Sequence, residues 1–329
     1  MTNRKKYIDV SKGTAILIVL ITHVFGLYAV DSEIHNHIMV ICATLHNPTF
    51  YFMSGVLFYG TMKKYDRSKI LKNKFLDLVV VFAVWVVIYT IYQIILGSTF
   101  YEKNSITEYS VSAINSLWFL PTLFCGMSAV VLLDVLKHCK HIGIIVKNDL
   151  LLCMIWLLMI LVTAFYSSGM AKIFTFSYIV WKGYLGKSKK HIVRLDAAVW
   201  GINVAAVFVL NFAKTSDMSI PGWRLALILF MFVTGSIITP QIMERICEKT
   251  RESKVIDRLA KIGQNTVYIY ILHFFVLYLF EAYGKINLFT CAICYVLCVI
   301  FPLAVGHVMK GKKIDYILFQ PSKCLKRWQ

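Results

Sequence analysis

Lys12 and His23 stand eleven residues apart in residues 4–23, RKKYIDVSKGTAILIVLITH. At about 100° per residue that spacing returns to within about 20° of the same helix face. Asp9 lies one turn before Lys12 on this face, and Ile16 and Val19 continue it. One stripe therefore carries an acid and a cation near one end and an imidazole about 16 Å deeper. Thr22, beside His23, is a further polar side chain in the same apolar run. Imidazole accepts a proton near neutral pH, which suits it to activating a weak hydroxyl nucleophile. Ionisable groups at membrane depth are rare and usually face a cavity or a partner.

Three further stretches carry polar residues that an apolar segment does not explain. LHNPTFYFMSG (45–55) sets His46 and Asn47 against Pro48, which frees the carbonyl of Thr44. Such a break lines a chamber or marks a kinked helix with an interhelical hydrogen bond. NSLWFLPTLF (115–124) opens with Asn115 and Trp118, where the tryptophan reads first as an aromatic-belt anchor at the outer interface. IGQNTVYIYILH (262–273) offers Asn265 or Thr266 as a helix start and puts His273 about 13 Å beyond it. Thr266 and Tyr270 share the face of His273. A lone histidine in a bundle is usually a structural hydrogen-bonding residue. Histidines 23, 46 and 273, at similar depth in separate segments, are placed to converge. Lys182, near the inner end of FTFSYIVWKGYLG (174–186), either snorkels to head groups or meets an anionic ligand.

The elements that must position these residues are membrane helices. The chain has 329 residues, of which 58% are hydrophobic and 16% charged, with a mean hydropathy of +0.67. An average soluble domain is about 45–50% apolar. Apolar runs cover about 12–30, 38–60, 75–97, 114–136, 149–166, 172–186, 196–213, 221–240, 264–281 and 287–308. The expectation is an all-α polytopic bundle of about ten transmembrane helices. The net charge of +18 is spread over short loops, a topology signal rather than a nucleic-acid surface. Basic loops (61–74, 137–147, 187–194, 241–261 and the tail from 310) alternate with loops poorer in cations (31–33, 102–108, 214–217, 281–285), which predicts both termini cytoplasmic. With no internal repeat or linker, residues 1–329 read as one membrane domain, and no soluble domain is expected beside it. Most of the nine cysteines fall in apolar runs. Cys291, Cys294 and Cys298 share a face and read as buried thiols rather than a metal or redox pair, and no metal is expected.

Taken together and in order, the four polar stretches resemble the motifs of the bacterial acyltransferase-3 family of integral membrane O-acyltransferases. YIDVSKGTAILIVLITH (7–23) is similar to its opening motif, a basic residue followed by histidine. LHNPTFYFMSG resembles its histidine-Met-Pro-Leu-Phe-Phe-Phe-x-Ser-Gly stretch, SLWFLPTLF its Trp-Phe-Leu motif, and IGQNTVYIYILH its Gly-x-Asn-Ser-x-x-x-Tyr-x-x-His pattern. The nearest branch resembles fucose 4-O-acetylase and the Nod-factor acetyltransferases. Lys12 stands where arginine is commonest, Asn47 replaces the frequent methionine, and Thr266 replaces serine. Lysine lacks arginine's bidentate phosphate contact.

The resemblance implies an enzyme of the bacterial plasma membrane that moves an acetyl group from acetyl-CoA to a hydroxyl of a capsular, cell-wall or lipid-linked sugar. It implies His23 as the base, with His46 and His273 orienting groups or relaying the proton. A covalent acyl-histidine is the alternative chemistry. Lys12 would meet the CoA phosphates with Asp9 holding it, and Lys182 is a second donor-side candidate. Asn115, Trp118 and Asn265 are candidates for the acceptor side. The rival class is a transporter or flippase for an acyl group or lipid-linked sugar, since polar residues and proline-broken helices also serve transport.

Overall fold

A backbone in lipid must satisfy its own hydrogen bonds, so long apolar runs fold as helices. The computed structural model describes residues 6–27, 33–97, 105–139, 142–186, 193–209, 222–250, 253–283 and 287–327, and every regular element among them is helical. Helix α1 covers Lys6–Leu27 and α2 covers Glu33–Lys64. Helix α3 (Arg67–Lys74) runs through a π-helical turn at Phe75–Val80 into α4 (Val81–Leu96). Then come α5 (Ile106–Leu117), α6 (Phe119–Leu136), α7 (Ile142–Lys147), α8 (Asp149–Tyr166), α9 (Ser168–Gly186) and α10 (Val193–Val209). Next are α11 (Trp223–Gly235), α12 (Ile238–Lys249), α13 (Lys254–Gln264), α14 (Thr266–Tyr283), α15 (Leu288–Met309), α16 (Lys313–Phe319) and α17 (Pro321–Arg327).

Seven helices or helical runs among the described residues are long and apolar enough to cross a bilayer: Lys6–Gly26, Arg67–Leu96, Phe119–Leu136, Asp149–Tyr166, Trp223–Lys249, Thr266–Tyr283 and Leu288–Met309. The sequence expectation of about ten also included the segments that fold as α2, α9 and α10. These are helical but less apolar or shorter. In α9 every residue from Thr175 to Gly183 is buried. A helix wrapped by protein does not need the apolar circumference that lipid demands. Parts of the expected loops, at 31–32, 102–104, 187–190, 214–217 and 285, lie outside the described residues.

Several stretches expected as loops are helical. Residues 67–74 form α3, and residues 241–261 fold largely as the ends of α12 and α13. The fourth expected segment, 114–136, is two helices that meet at Trp118. The basic tail folds as α16 and α17. Asp77, in the π-helical turn, accepts from Ser322 N at 3.0 Å and Ser322 Oγ at 2.7 Å. Asp315 accepts from Tyr268 Oη at 2.6 Å, and Trp85 Nε1 donates to Leu318 O at 2.9 Å. Polar residues that read as loop in a linear pattern become helix once a neighbour's acceptors and donors are within reach.

Two apolar cores divide the bundle. One gathers α2, α6, α8, α9 and α11 around Tyr51, Phe176 and Leu229, and the other gathers α1, α4, α14 and α15 around Leu20, Tyr89 and Leu272. Close approach at small residues sets the spacing. A Cβ on Gly183 of α9 would overlap the carbonyl of Phe52 in α2, and one on Gly263 of α13 would overlap the carbonyl of Asp9 in α1. Helix α13 therefore lies directly against the polar half of α1. Gly263→Ala forces the two backbones apart and is expected to cost about 1–3 kcal/mol, the range for overpacking. Thermal unfolding of the purified protein reads this as a fall in Tm, and an unchanged Tm would show that the contact is loose.

Candidate functional site

Asp9 is 4% exposed and accepts from Gln264 Nε2 at 3.3 Å. It is held there because Val10 packs on Ile256 and Ala260, while Lys6 pairs with Asp257 at 2.7 Å at the start of the helix. Lys12 is half-buried. Along the expected stripe, Ile16 and Val19 are buried in the core with α14 and α15. The face from Lys12 to His23 is thus packed with apolar side chains and does not line an open path. The shared helix face was legible in the sequence, but the neighbours covering its middle were not.

His23 itself is exposed, as are Phe25 and Gly26 beyond it. Its ring centroid is 5.4 Å from that of His273, a residue with no exposure at all. The exposed ring of His23 thus lies beside a fully buried one near the C-terminal end of α1. His46 belongs to the same layer: its Nε2 is 3.4 Å from Thr22 Oγ1, and His23 acts electrostatically on both His46 and His273. His46 is thirteen residues into α2, so α2 runs about 20 Å before the layer and continues about 27 Å past it. The three histidines, widely spaced in sequence, converge inside the bundle.

Each buried histidine keeps one nitrogen without a hydrogen-bond partner among the described residues, Nδ1 of His46 and Nε2 of His273. For His273 the tautomer follows from chemistry. Its Nδ1 lies 2.9 Å from the carbonyl of Ile269, and a carbonyl only accepts, so Nδ1 carries the proton and Nε2 offers a lone pair. Phe274 walls the site, 5.4 Å from His23 and 4.1 Å from His273. An unpartnered acceptor in a buried site costs free energy unless a ligand or water satisfies it. Pro48 does not break α2, which stays helical through it. Trp200 Nε1 donates to Thr44 Oγ1 at 3.2 Å, and Thr49 Oγ1 donates to Leu45 O at 2.6 Å.

The wall opposite is the joint between α5 and α6. Tyr51 Oη donates to Phe119 O at 3.3 Å from the helix of His46, and Tyr270 Oη donates to Ser116 O at 3.3 Å from the helix of His273. Ser116 Oγ and Tyr278 Oη are hydrogen-bonded at 2.6 Å. Tyr270 also faces His273 at 6.3 Å. Trp118, half-buried, packs its ring 5.3 Å from the fully buried Phe176 and directly precedes the membrane-length span Phe119–Leu136. The joint also explains which residues were missed. Tyr270, Phe274 and Tyr278 form an i, i+4 aromatic stripe that was visible in the sequence, whereas Tyr51 and Ser116 carried no local signal.

Other candidates lie elsewhere. Asn115 is exposed on α5. Asn265 donates to Lys261 O at 2.7 Å and Thr266 Oγ1 donates to Gly263 O at 3.2 Å. Neither caps the start of α14. Both close the end of α13, whose last carbonyls are the unsatisfied groups at this joint. Because Gly263 packs on Asp9, Asn265 falls at the Asp9 end of the bundle, away from Trp118. Lys182 is 7% exposed and donates to Val233 O at 3.3 Å. It does not snorkel; its ammonium meets a carbonyl near the C-terminus of α11, where the helix dipole favours a cation. Cys291 and Cys298 pack as thiols against Val24 O and His273 O. Among the described residues no group of three His, Cys, Asp or Glu is arranged to hold a metal ion.

The Ser116–Tyr278 pair gives a direct test of the joint. Ser116→Ala and Tyr278→Phe are each expected to cost about 1 kcal/mol, the usual net worth of one hydrogen bond. Because they remove the same bond, the double variant is expected to lose little more than either single one. Unfolding of the four proteins measures this, and additive losses would mean that the two hydroxyls act separately.

The acyltransferase-3 family model, described as an acyltransferase domain, matches residues 5–306. No curated protein and no solved structure matches the chain. The matched region runs from the basic start of α1 through α15 and contains the whole histidine layer. With seven apolar helices able to cross a membrane and a match over most of its length, the chain belongs to the acyltransferase-3 family of membrane acyltransferases.

Proposed function

We propose that this protein transfers an acetyl group from acetyl-CoA to a hydroxyl of a cell-surface or lipid-linked sugar, of the capsular, exopolysaccharide or cell-wall kind. The observation that carries the reading is the convergence of His23, His46 and His273 within the bundle. His23 is the base. It takes the proton of the acceptor hydroxyl as the oxygen attacks the thioester carbonyl; the C–O bond forms, the C–S bond breaks, and CoA leaves as the thiol with that proton returned to it. His46 and His273 orient the acceptor through their unpartnered nitrogens. Trp118 and Asn115 lie on the acceptor side.

The donor binds from the other end. Lys12 meets its phosphates, and Asp9, tied to Gln264, holds that end of α1 in place. Lys12 and His23 are about 16 Å apart along the helix, a span suited to an extended pantetheine arm. The arm must pass Ile16 and Val19, so donor binding includes a local opening of α1 against its neighbours. Lys182 serves as structural support for α11 in this scheme. The chain works as a single domain over residues 1–329, with ten spans in a bacterial plasma membrane and both termini cytoplasmic. The alternation of basic loops supports that topology.

Initial transfer rate is the test, with expression and thermal stability matched. His23→Ala is expected to bind acetyl-CoA and to lose transfer by about 10²–10⁴-fold, the usual worth of a general base. His23→Gln fills the same space and is expected to be equally slow; near-wild-type turnover by this variant would sink the assignment. For the donor, Lys12→Ala is expected to weaken acetyl-CoA binding in calorimetry while Lys12→Arg retains it. Equal binding by wild type and Lys12→Ala removes Lys12 from the site. Labelling of single cysteines in residues 61–66 by an impermeant reagent from outside the cell would overturn the topology.

A further inference from the structure

Thr22 is a polar side chain of α1, beside His23, that the acyl-transfer scheme leaves without a task. Its hydroxyl donates to the carbonyl of Val19 at 2.8 Å, one turn back on its own helix. A hydroxyl has one proton, and the Val19 carbonyl takes it. What Thr22 presents to His46 Nε2, at 3.4 Å, is therefore an oxygen lone pair. A lone pair attracts N–H, so Nε2 of His46 carries the ring proton and Nδ1 is the bare acceptor. That Nδ1 is buried and has no hydrogen-bond partner among the described residues. The other polar side chain acting on His46 is Asn47, next in the chain, and the nearby titratable group is His23.

We propose that Thr22 is a positioning residue that holds His46 in the Nε2–H tautomer, so that Nδ1 faces the site as a hydrogen-bond acceptor for a hydroxyl of the acceptor substrate. The carbonyl of Ile269 does the same for His273 with the opposite nitrogen. Two histidines then offer lone pairs beside His23, and the molecule that satisfies both must bring two hydrogen-bond donors. A polyol does so, with two hydroxyls held on His46 and His273 while a third gives its proton to His23. A substrate with a single hydroxyl, donated to His23, leaves both buried nitrogens unpartnered. This part of the inference rests on the acyl-transfer reading, whereas the tautomer assignment does not.

The experiment uses the full chain in detergent with ring-¹⁵N histidine, and His46 is assigned by comparison with His46→Gln. In the wild type, Nε2 of His46 is expected at a pyrrole-type shift and Nδ1 at a pyridine-type shift. Thr22→Ser keeps the hydroxyl and is expected to keep both shifts; Thr22→Val keeps the shape without the hydroxyl and is expected to mix or exchange them. A wild-type His46 protonated on Nδ1, or a Thr22→Val spectrum equal to that of wild type, overturns the proposal. The wild-type spectrum alone decides the tautomer if Thr22→Val does not fold.

Transfer from acetyl-CoA to a sugar acceptor is read on the same proteins. Thr22→Val is expected to lower kcat roughly tenfold, the worth of about one hydrogen bond, with KM for acetyl-CoA unchanged and Thr22→Ser restoring the rate. Full activity of Thr22→Val removes the positioning role. Absence of transfer in the wild type as well would count against the acetyl-CoA reading, while the spectra would still decide the tautomer.

Discussion

Buried polar groups govern this structure, because neither lipid nor a packed core offers them water. Nearly every one visible inside the bundle has a partner from another helix or from its own preceding turn. Asp315 holds Tyr268 and the Gly311 amide. Tyr89 donates to the Ile271 carbonyl, and Tyr92 to that of Phe275. Lys182 closes on Val233. Among the few buried side-chain atoms left without a partner in the described residues, the nitrogens of His46 and His273 are the two that lie in the histidine layer.

The same constraint explains how the site is built. Three helices carry the histidines: α2 and α14 are held by contacts one or two turns from theirs, and α1 by a contact about four turns from His23. Helix α1 is pinned by α13 through the backbone approach of Gly263 to Asp9. Helices α2 and α14 are tied to the α5–α6 joint by Tyr51, Tyr270 and Tyr278. Tyrosine suits this work because its ring is apolar and its hydroxyl reaches a carbonyl exposed by a helix break. The tail adds a second tie, since α16 fastens α14 to α4 through Tyr268, Phe319 and Trp85. The reactive layer is thereby bounded by rigid helices, with freedom left at the exposed His23 edge.

The apolar plug of Ile16 and Val19 divides α1 into a half with Asp9 and Lys12 and a half with Thr22 and His23. Two well-packed side chains therefore separate its polar halves.

Much of this was legible in the chain itself. Periodicity placed Asp9, Lys12 and His23 on one face of α1, and the spacing of Thr266, Tyr270 and His273 placed them on one face of α14. Apolar length marked the helices that face lipid. These features are local, so composition and a helical repeat determine them. The sequence could not show that Ile16 and Val19 are covered, that Trp118 packs on Phe176, that the Asn265 side chain closes α13, or that Lys182 finds a carbonyl fifty-one residues away. Each of those depends on which helix lies alongside and at what distance, and that was decided by the close backbone contacts at a few glycines and by the search of every buried polar group for a partner.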